Sequence, residues 1–334
     1  MQKHLPPPGR LTDRYHRWAI HYGFPFLAWL APRWPRRLER FLARFVIWAI
    51  FVVYPKPKRM IARNLARLTG LSKGSWRLRR KTSELLRQFG FYWVDFFRFA
   101  QLPTAEAEKL LHSNVGFEHV ERAYAAGNGV LILTAHYGIY EMGSLLLGRG
   151  KPLSVVFVPD KFGDVERFRA TFRNLSDVEA LPIEPDASWS SLPVLRALRS
   201  GRLVAMQGDR DFGTNGVPAT FFGERVIFPR GPFLVAMLTG APILPTFIRY
   251  AADYSFESSV HPPIEVPSGG DRERTLSVAV QRWASVLESE VRAHPTQWFT
   301  FYDYFAEHRA SGDAPERAPQ PAPEGDERGR RASA

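Results

Sequence analysis

His136 and Glu141 are the residues whose types and spacing offer chemistry, in the stretch Val130-Leu-Ile-Leu-Thr-Ala-His136-Tyr-Gly138-Ile-Tyr-Glu141. An imidazole titrates near neutral pH, and a carboxylate on one ring nitrogen fixes the tautomer and raises the basicity of the other. A general base needs that arrangement. On one regular helix a five-residue offset would set the two side chains about 140° apart. Pairing therefore requires His136 before a helix and Glu141 inside it, so that the carboxylate turns back. The residues alone also allow an ordinary surface or core pair. A metal is not indicated: the two-His helical pattern of zinc proteases is absent, and so is cysteine.

The elements that must position this pair are readable. Val130 to Leu133 is short, branched and uncharged, and follows Gly127-Asn128-Gly129, as a buried strand would. Gly138 permits a tight exit, and Glu141 suits the first turn of a helix continuing through Met142 to Leu147. Beyond it the chain alternates. Strands are expected at 153–158, 180–183 and 203–207, and helices at 165–174 and 190–199. That alternation predicts an α/β fold with a mixed, largely parallel central sheet flanked by helices, whose sites form at the carboxyl ends of strands. A charged, glycine-rich loop, Gly208-Asp209-Arg210-Asp211 to Gly216, follows the 203–207 strand. Later come short segments at 219–223 and 226–228, a helix from Phe233, a strand from Ala241 to Tyr250 with a hairpin partner at 254–260, and a helix over 272–292. Upstream, helices are expected from Arg59 to Leu68 and from Trp76 to Arg98. The aromatic stripe of the latter suits core packing or a lipid groove.

The 334 residues carry a formal net charge of +12 and no cysteine, which excludes disulfides and thiol catalysis and fits a reducing compartment. The charge is concentrated. Residues 1–70 hold 14 Lys and Arg against Asp13 and Glu39, and the remainder balances 31 basic with 31 acidic residues. Two apolar blocks, Trp18–Pro32 and Phe45–Tyr54, lie among these cations, flanked by them on both sides. The first is broken by His21, Gly23 and Pro25, and the second is short of the roughly 20 residues of a spanning helix. Interfacial segments on an anionic membrane fit best, with a buried helical pair or a single span through 41–54 as alternatives. No nucleic-acid-reading motif accompanies the charge. The expected organisation is a membrane-associating segment over 1–56, an α/β domain over 57–308, and a Pro- and charge-rich disordered tail over 309–334.

Taken in order, several motifs resemble one family. His136-Tyr-Gly-Ile-Tyr-Glu141 is similar to the His-x4-Asp/Glu motif of the lysophospholipid acyltransferase superfamily. Asp209-Arg210 with Gly216, Phe221-Phe222-Gly223, Pro229-Arg-Gly-Pro232, Thr239-Gly-Ala-Pro-Ile-Leu-Pro245 and His294-Pro-Thr-Gln-Trp298 resemble the late acyltransferases of lipid A biosynthesis. Relatives of that branch acylate phosphatidylinositol mannosides. The likeness spans roughly residues 55–305, and Phe299-Thr-Phe-Tyr302 departs from the Trp and Arg found there in many lipid A enzymes.

The resemblance implies O-acyl transfer from a thioester, acyl carrier protein or coenzyme A, to a hydroxyl of a membrane glycolipid or lipid A precursor, with no other cofactor. A mannoside, a lysophospholipid, or non-catalytic lipid binding on the same fold are the alternatives. It implies His136 as base and Glu141 as its orienting partner. Arg173 and Arg167 would hold the acceptor's phosphate, Asp209 and Arg210 would serve substrate binding, and amides near Gly138 or in the Gly208–Gly213 loop would serve the oxyanion. The expected place is the cytoplasmic face of the inner membrane, peripheral or held by a single N-terminal anchor.

Overall fold

The computed structural model describes residues 33–53, 55–99, 109–141, 143, 150–159, 178–184, 191–213 and 215–309. The first apolar block, the 165–174 helix with Arg167 and Arg173, and the tail beyond 309 lie outside the described residues, as does nearly all of the 142–147 helix.

Three helices come first: α1 (Arg36–Val53), α2 (Pro55–Thr69) and α3 (Trp76–Phe99). Proline is tolerated where α2 starts, because the first amides of a helix have no partner within it. Gly70 ends it in the left-handed conformation at φ 66°. On α3, Phe91, Phe96 and Phe97 are buried and Phe89 and Trp93 pack against the core, so the aromatic stripe is mainly packing. Gly90 lets α1 approach, since a Cβ there would stand 2.7 Å from the Ile47 side chain. Arg40 at the start of α1 donates to the Tyr254 carbonyl, and Glu39 pairs with Arg98 at 2.7 Å.

The remaining elements are β1 (Leu111–Val115), α4 (Phe117–Ala125), β2 (Val130–Thr134), β3 (Leu153–Phe157), β4 (Glu179–Pro182), α5 (Leu192–Arg199), β5 (Leu203–Gln207), β6 (Val217–Phe221), β7 (Glu224–Phe228), α6 (Gly231–Thr239), β8 (Ile243–Tyr250), β9 (Phe256–Val260), α7 (Arg272–Ala293), a 3-10 turn at Pro295–Gln297, and α8 (Tyr304–Glu307). Seven strands form one sheet in the order β1-β9-β8-β2-β5-β3-β4, and β6 and β7 form a separate hairpin. The run β8-β2-β5-β3-β4 is parallel throughout, β9 is antiparallel to β8, and β1 runs parallel to β9. The expected mixed, largely parallel α/β sheet is what the chain builds.

Val130 to Leu133 is buried on both faces, as a central parallel strand must be. Asp271 caps α7 by accepting from the Glu273 and Arg274 amides, and α7 buries Leu276, Val280, Trp283, Leu287 and Val291 in the core. Among the described residues no helix is long and apolar enough to cross a membrane.

Candidate active site

Two neighbouring parallel strands set the site. Thr134 at the end of β2 is the register partner of Gln207 at the end of β5, and the Gly208 amide donates to the Thr134 carbonyl at 2.8 Å. His136 and Asp209 each follow two residues later, so they leave the sheet side by side. The imidazole Nδ1 lies 2.8 Å from Asp209 Oδ1, and the His136 amide donates to Oδ2 at 3.2 Å. Trp298 donates its indole N–H to the same Oδ2 at 3.0 Å. The peptide is held as well: Tyr304 donates its hydroxyl to the Asp209 carbonyl, and Trp283 its indole N–H to the Gly208 carbonyl, each at 2.9 Å.

Asp209 is completely buried while the His136 side chain keeps 14% of its surface exposed. Burial opposes the Asp209 charge, yet the His136 contact, the Arg210 guanidinium and the Trp298 hydrogen bond outweigh it and hold the carboxyl well below the usual range. An ionised carboxylate only accepts, so its contact with Nδ1 assigns the proton to that nitrogen and leaves the lone pair on Nε2.

The His294-Pro295-Thr296-Gln297-Trp298 motif acts as a strap across this corner. Tyr137 and Trp298 form an antiparallel bridge, with Gly138 N donating to Gln297 O and Phe299 N to His136 O, both at 2.8 Å. The Gln297 side chain fastens the strap to β8 by accepting from the Tyr250 amide and donating to its carbonyl. Gly138 is obligatory here: its φ is 57°, and a Cβ would sit 2.0 Å from the Ile248 carbonyl oxygen. The Gly138, Gly208 and Gly213 amides, candidates for an oxyanion, donate to Gln297 O, Thr134 O and Asp211 Oδ1.

Glu141 stands in a turn and accepts the hydroxyl of Tyr92 on α3 at 2.5 Å. The Tyr140 ring stacks on Tyr92 and meets the His136 ring, with both centroid distances 5.3 Å. The carboxylate at Nδ1, expected to be that of Glu141, is that of Asp209. Arg210 donates to the Phe299 carbonyl at 2.7 Å, lies over the Tyr302 ring, and keeps a buried Nε with no hydrogen-bond partner. His136, Gly138, Glu141, Asp209 and Arg210 thus gather at one place. Among the described residues no three side chains of metal-ligating type converge.

Sequence reading missed the part Asp209 plays at the imidazole, because 73 residues separate it from His136. A signal was present: each follows the end of an apolar strand by the same two residues.

Fold and centre define an α/β protein with an imidazole–carboxylate pair at the carboxyl ends of adjacent parallel strands. Residues 8–306 match the bacterial lipid A biosynthesis acyltransferase family, and the chain belongs to it. It is an acyltransferase. It is 28% identical over 300 residues to the phosphatidylinositol mannoside acyltransferase of Mycobacterium tuberculosis, covering 87% of this chain and 89% of that one. It is 23% identical over 298 residues to the lipid A biosynthesis palmitoleoyltransferase of Escherichia coli, covering 88% and 92%. The Escherichia coli lipid A biosynthesis lauroyltransferase is 24% identical over 196 residues, 57% of this chain and 60% of that protein.

Proposed function

We propose that the protein transfers a fatty acyl chain from a thioester, on acyl carrier protein or coenzyme A, to a sugar hydroxyl of a membrane glycolipid. The observation that carries this reading is the His136 imidazole held at Nδ1 by the buried Asp209 carboxylate. A hydroxyl is a poor nucleophile at its own pKa. Nε2 takes its proton as the oxygen attacks the thioester carbonyl carbon, the carbon–sulfur bond breaks, and the imidazolium returns the proton to the departing thiolate. Asp209 stabilises the imidazolium without accepting the proton. No covalent acyl-enzyme is required, since a thioester is already activated. Glu141, fastened by Tyr92, is a second carboxylate on the loop of His136.

Arg210 is suited to the carbonyl oxygen or to a donor phosphate, and Arg167 and Arg173 to the acceptor's phosphate, where a planar guanidinium binds in two places. A lipid A precursor and a phosphatidylinositol mannoside share what this centre needs, a sugar hydroxyl on a lipid held at a membrane surface.

The acceptor's location argues for work at the interface, and α1 fits that surface. Phe41, Phe45, Trp48 and Val52 recur at helical spacing and are 57–65% exposed, while Ala43, Ile47 and Phe51 face inward. Phe41, Phe45 and Trp48 also line a groove of about 850 Å³, to which Arg44, Lys58, Arg80 and Arg87 contribute four cations against one carboxylate, Glu84. An apolar stripe bordered by cations is the pattern of a helix lying at the level of lipid phosphates. From the groove, Phe51 stacks on Phe301, Phe301 meets Phe89 at a tilt of 57°, and Phe89 meets Phe299 edge-on. The cytoplasmic face of the membrane suits both donors.

Mass spectrometry of membrane lipids from cells with and without the protein tests the reading. One glycolipid species should gain a single acyl group when the protein is present. Unchanged glycolipids, with acyl gain confined to another lipid class, would overturn the choice of acceptor.

A further inference from the structure

Trp298 holds a place that packing alone does not explain. Its ring fills a fully buried space, edge-on to Phe221 at 5.6 Å and to Tyr304 at 4.7 Å. A phenyl ring could make those contacts. What only the indole supplies is an N–H, and it is aimed at Asp209 Oδ2. The same carboxylate therefore divides its negative charge between the indole and the imidazole, one on each oxygen, with the His136 amide sharing Oδ2. Every donor that the carboxylate accepts from elsewhere leaves it a weaker partner for the imidazolium.

We infer that Trp298 is a positioning residue which, through Asp209, lowers the basicity of His136 and so sets the pH at which the base becomes available. A base that stays protonated cannot take the acceptor's proton. One buried carboxylate with no competing donor would bind the imidazolium so well that the free base is scarce at neutral pH. The indole N–H moderates this, and it is itself uncharged, so it does so without titrating. The other charged and titratable groups near the pair are chemically unchanged when the indole is replaced. These are Arg210 and Asp211 on the β5 loop, Tyr140 and Glu141 on the loop of His136, Tyr92 on α3, and Tyr302 and Tyr304 on the closing segment.

The test is the titration of His136 itself, which needs no substrate. Histidine ring nitrogens are followed by 15N NMR across pH in the full chain, and the His136→Ala variant identifies the signal. Two replacements remove the N–H: Trp298→Phe, and Trp298 replaced by 3-benzothienylalanine, which keeps the indole's shape with sulfur in place of N–H. Both should raise the His136 pKa by about half a unit or more, a fraction of one charge-assisted hydrogen bond. An unchanged or lowered pKa in the benzothienyl variant would overturn the inference. So would a rise in the phenylalanine variant alone, since a cavity rather than the lost donor would then be responsible. The kinetic consequence rests on the proposed function: the acid limb of the transfer rate should move to higher pH by the same amount. A titration shift without acyl transfer would sink the proposed function and leave the role of Trp298 standing.

Discussion

His136 and Asp209 lie 73 residues apart in the chain and 2.8 Å apart in space, each two residues beyond a register pair of adjacent parallel strands. Their contact is thus dictated by the sheet: any sequence that keeps β2 and β5 in this register delivers both side chains to one corner.

Replacing Asp209 by Asn keeps the shape and removes the charge. The amide could still meet Nδ1, but it would not stabilise the imidazolium and can impose the wrong tautomer. Transfer should fall by about 10³-fold or more with the fold intact. A Asp209→Asn enzyme within tenfold of wild type, measured by thioester consumption, would contradict this assignment.

The bond from Tyr92 to Glu141 joins α3 to the loop that carries His136. Tyr92→Phe and Glu141→Gln cut it from opposite ends. If both act through that bond, their effects on turnover should not add, and the double variant should lose little more than the worse single one. Additive losses in a double-mutant cycle would separate the two side chains.

Gly138→Ala forces a Cβ against the Ile248 carbonyl at a residue with φ 57°. A destabilisation of roughly 2–4 kcal/mol is expected, from backbone strain and the shift of the strap. Thermal unfolding would read it directly; a melting temperature equal to wild type would mean that the corner has slack.

A second carboxylate, Glu290 on α7, accepts from His261 at 2.7 Å and from Ser259 at 3.1 Å. Burial opposes its charge, but the His261 hydrogen bond and charge, with Ser259 and Arg249, outweigh this and lower its pKa. A depressed folded pKa gives stability that is present above the unfolded carboxyl value of about 4.3 and is lost as pH falls through the folded one. Glu290→Gln should therefore be less stable at neutral pH, by about 1 kcal/mol, and lose less on acidification. Melting temperatures from pH 7 to 3 would show the two curves converging.

The exposed α1 stripe predicts that Phe41→Ser with Trp48→Ser weakens binding to anionic vesicles by at least tenfold, each buried aromatic contributing roughly 1.5–3 kcal/mol at full burial. Sedimentation with phosphatidylglycerol vesicles measures it. Unchanged sedimentation would move the contact surface elsewhere.

Much of this was legible in the sequence, for physical reasons that differ by element. Leu203–Gln207 and Val130–Thr134 declare themselves because a strand buried on both faces must be continuously apolar. β1, Leu-His-Ser-Asn-Val, did not, since an edge strand half open to solvent carries no such run. His136 was found because a loop histidine after a buried strand stands out locally. For its carboxylate the sequence points to Glu141, the acidic residue near it in the chain, whereas only the β2–β5 register brings Asp209 to Nδ1. Trp298 was read as part of a motif, but its N–H direction exists only once the strap has closed over Tyr137.

One assay tests directly whether His136 is the base of a thioester-to-hydroxyl acyl transfer. Purified protein and its His136→Ala variant, both confirmed as folded, are given long-chain acyl thioester on each carrier with glycolipid-bearing membranes, and labelled acyl-glycolipid is counted. Wild type should give product, and the variant should lose at least about 10³-fold. Transfer by the His136→Ala variant at the wild-type rate would contradict that role.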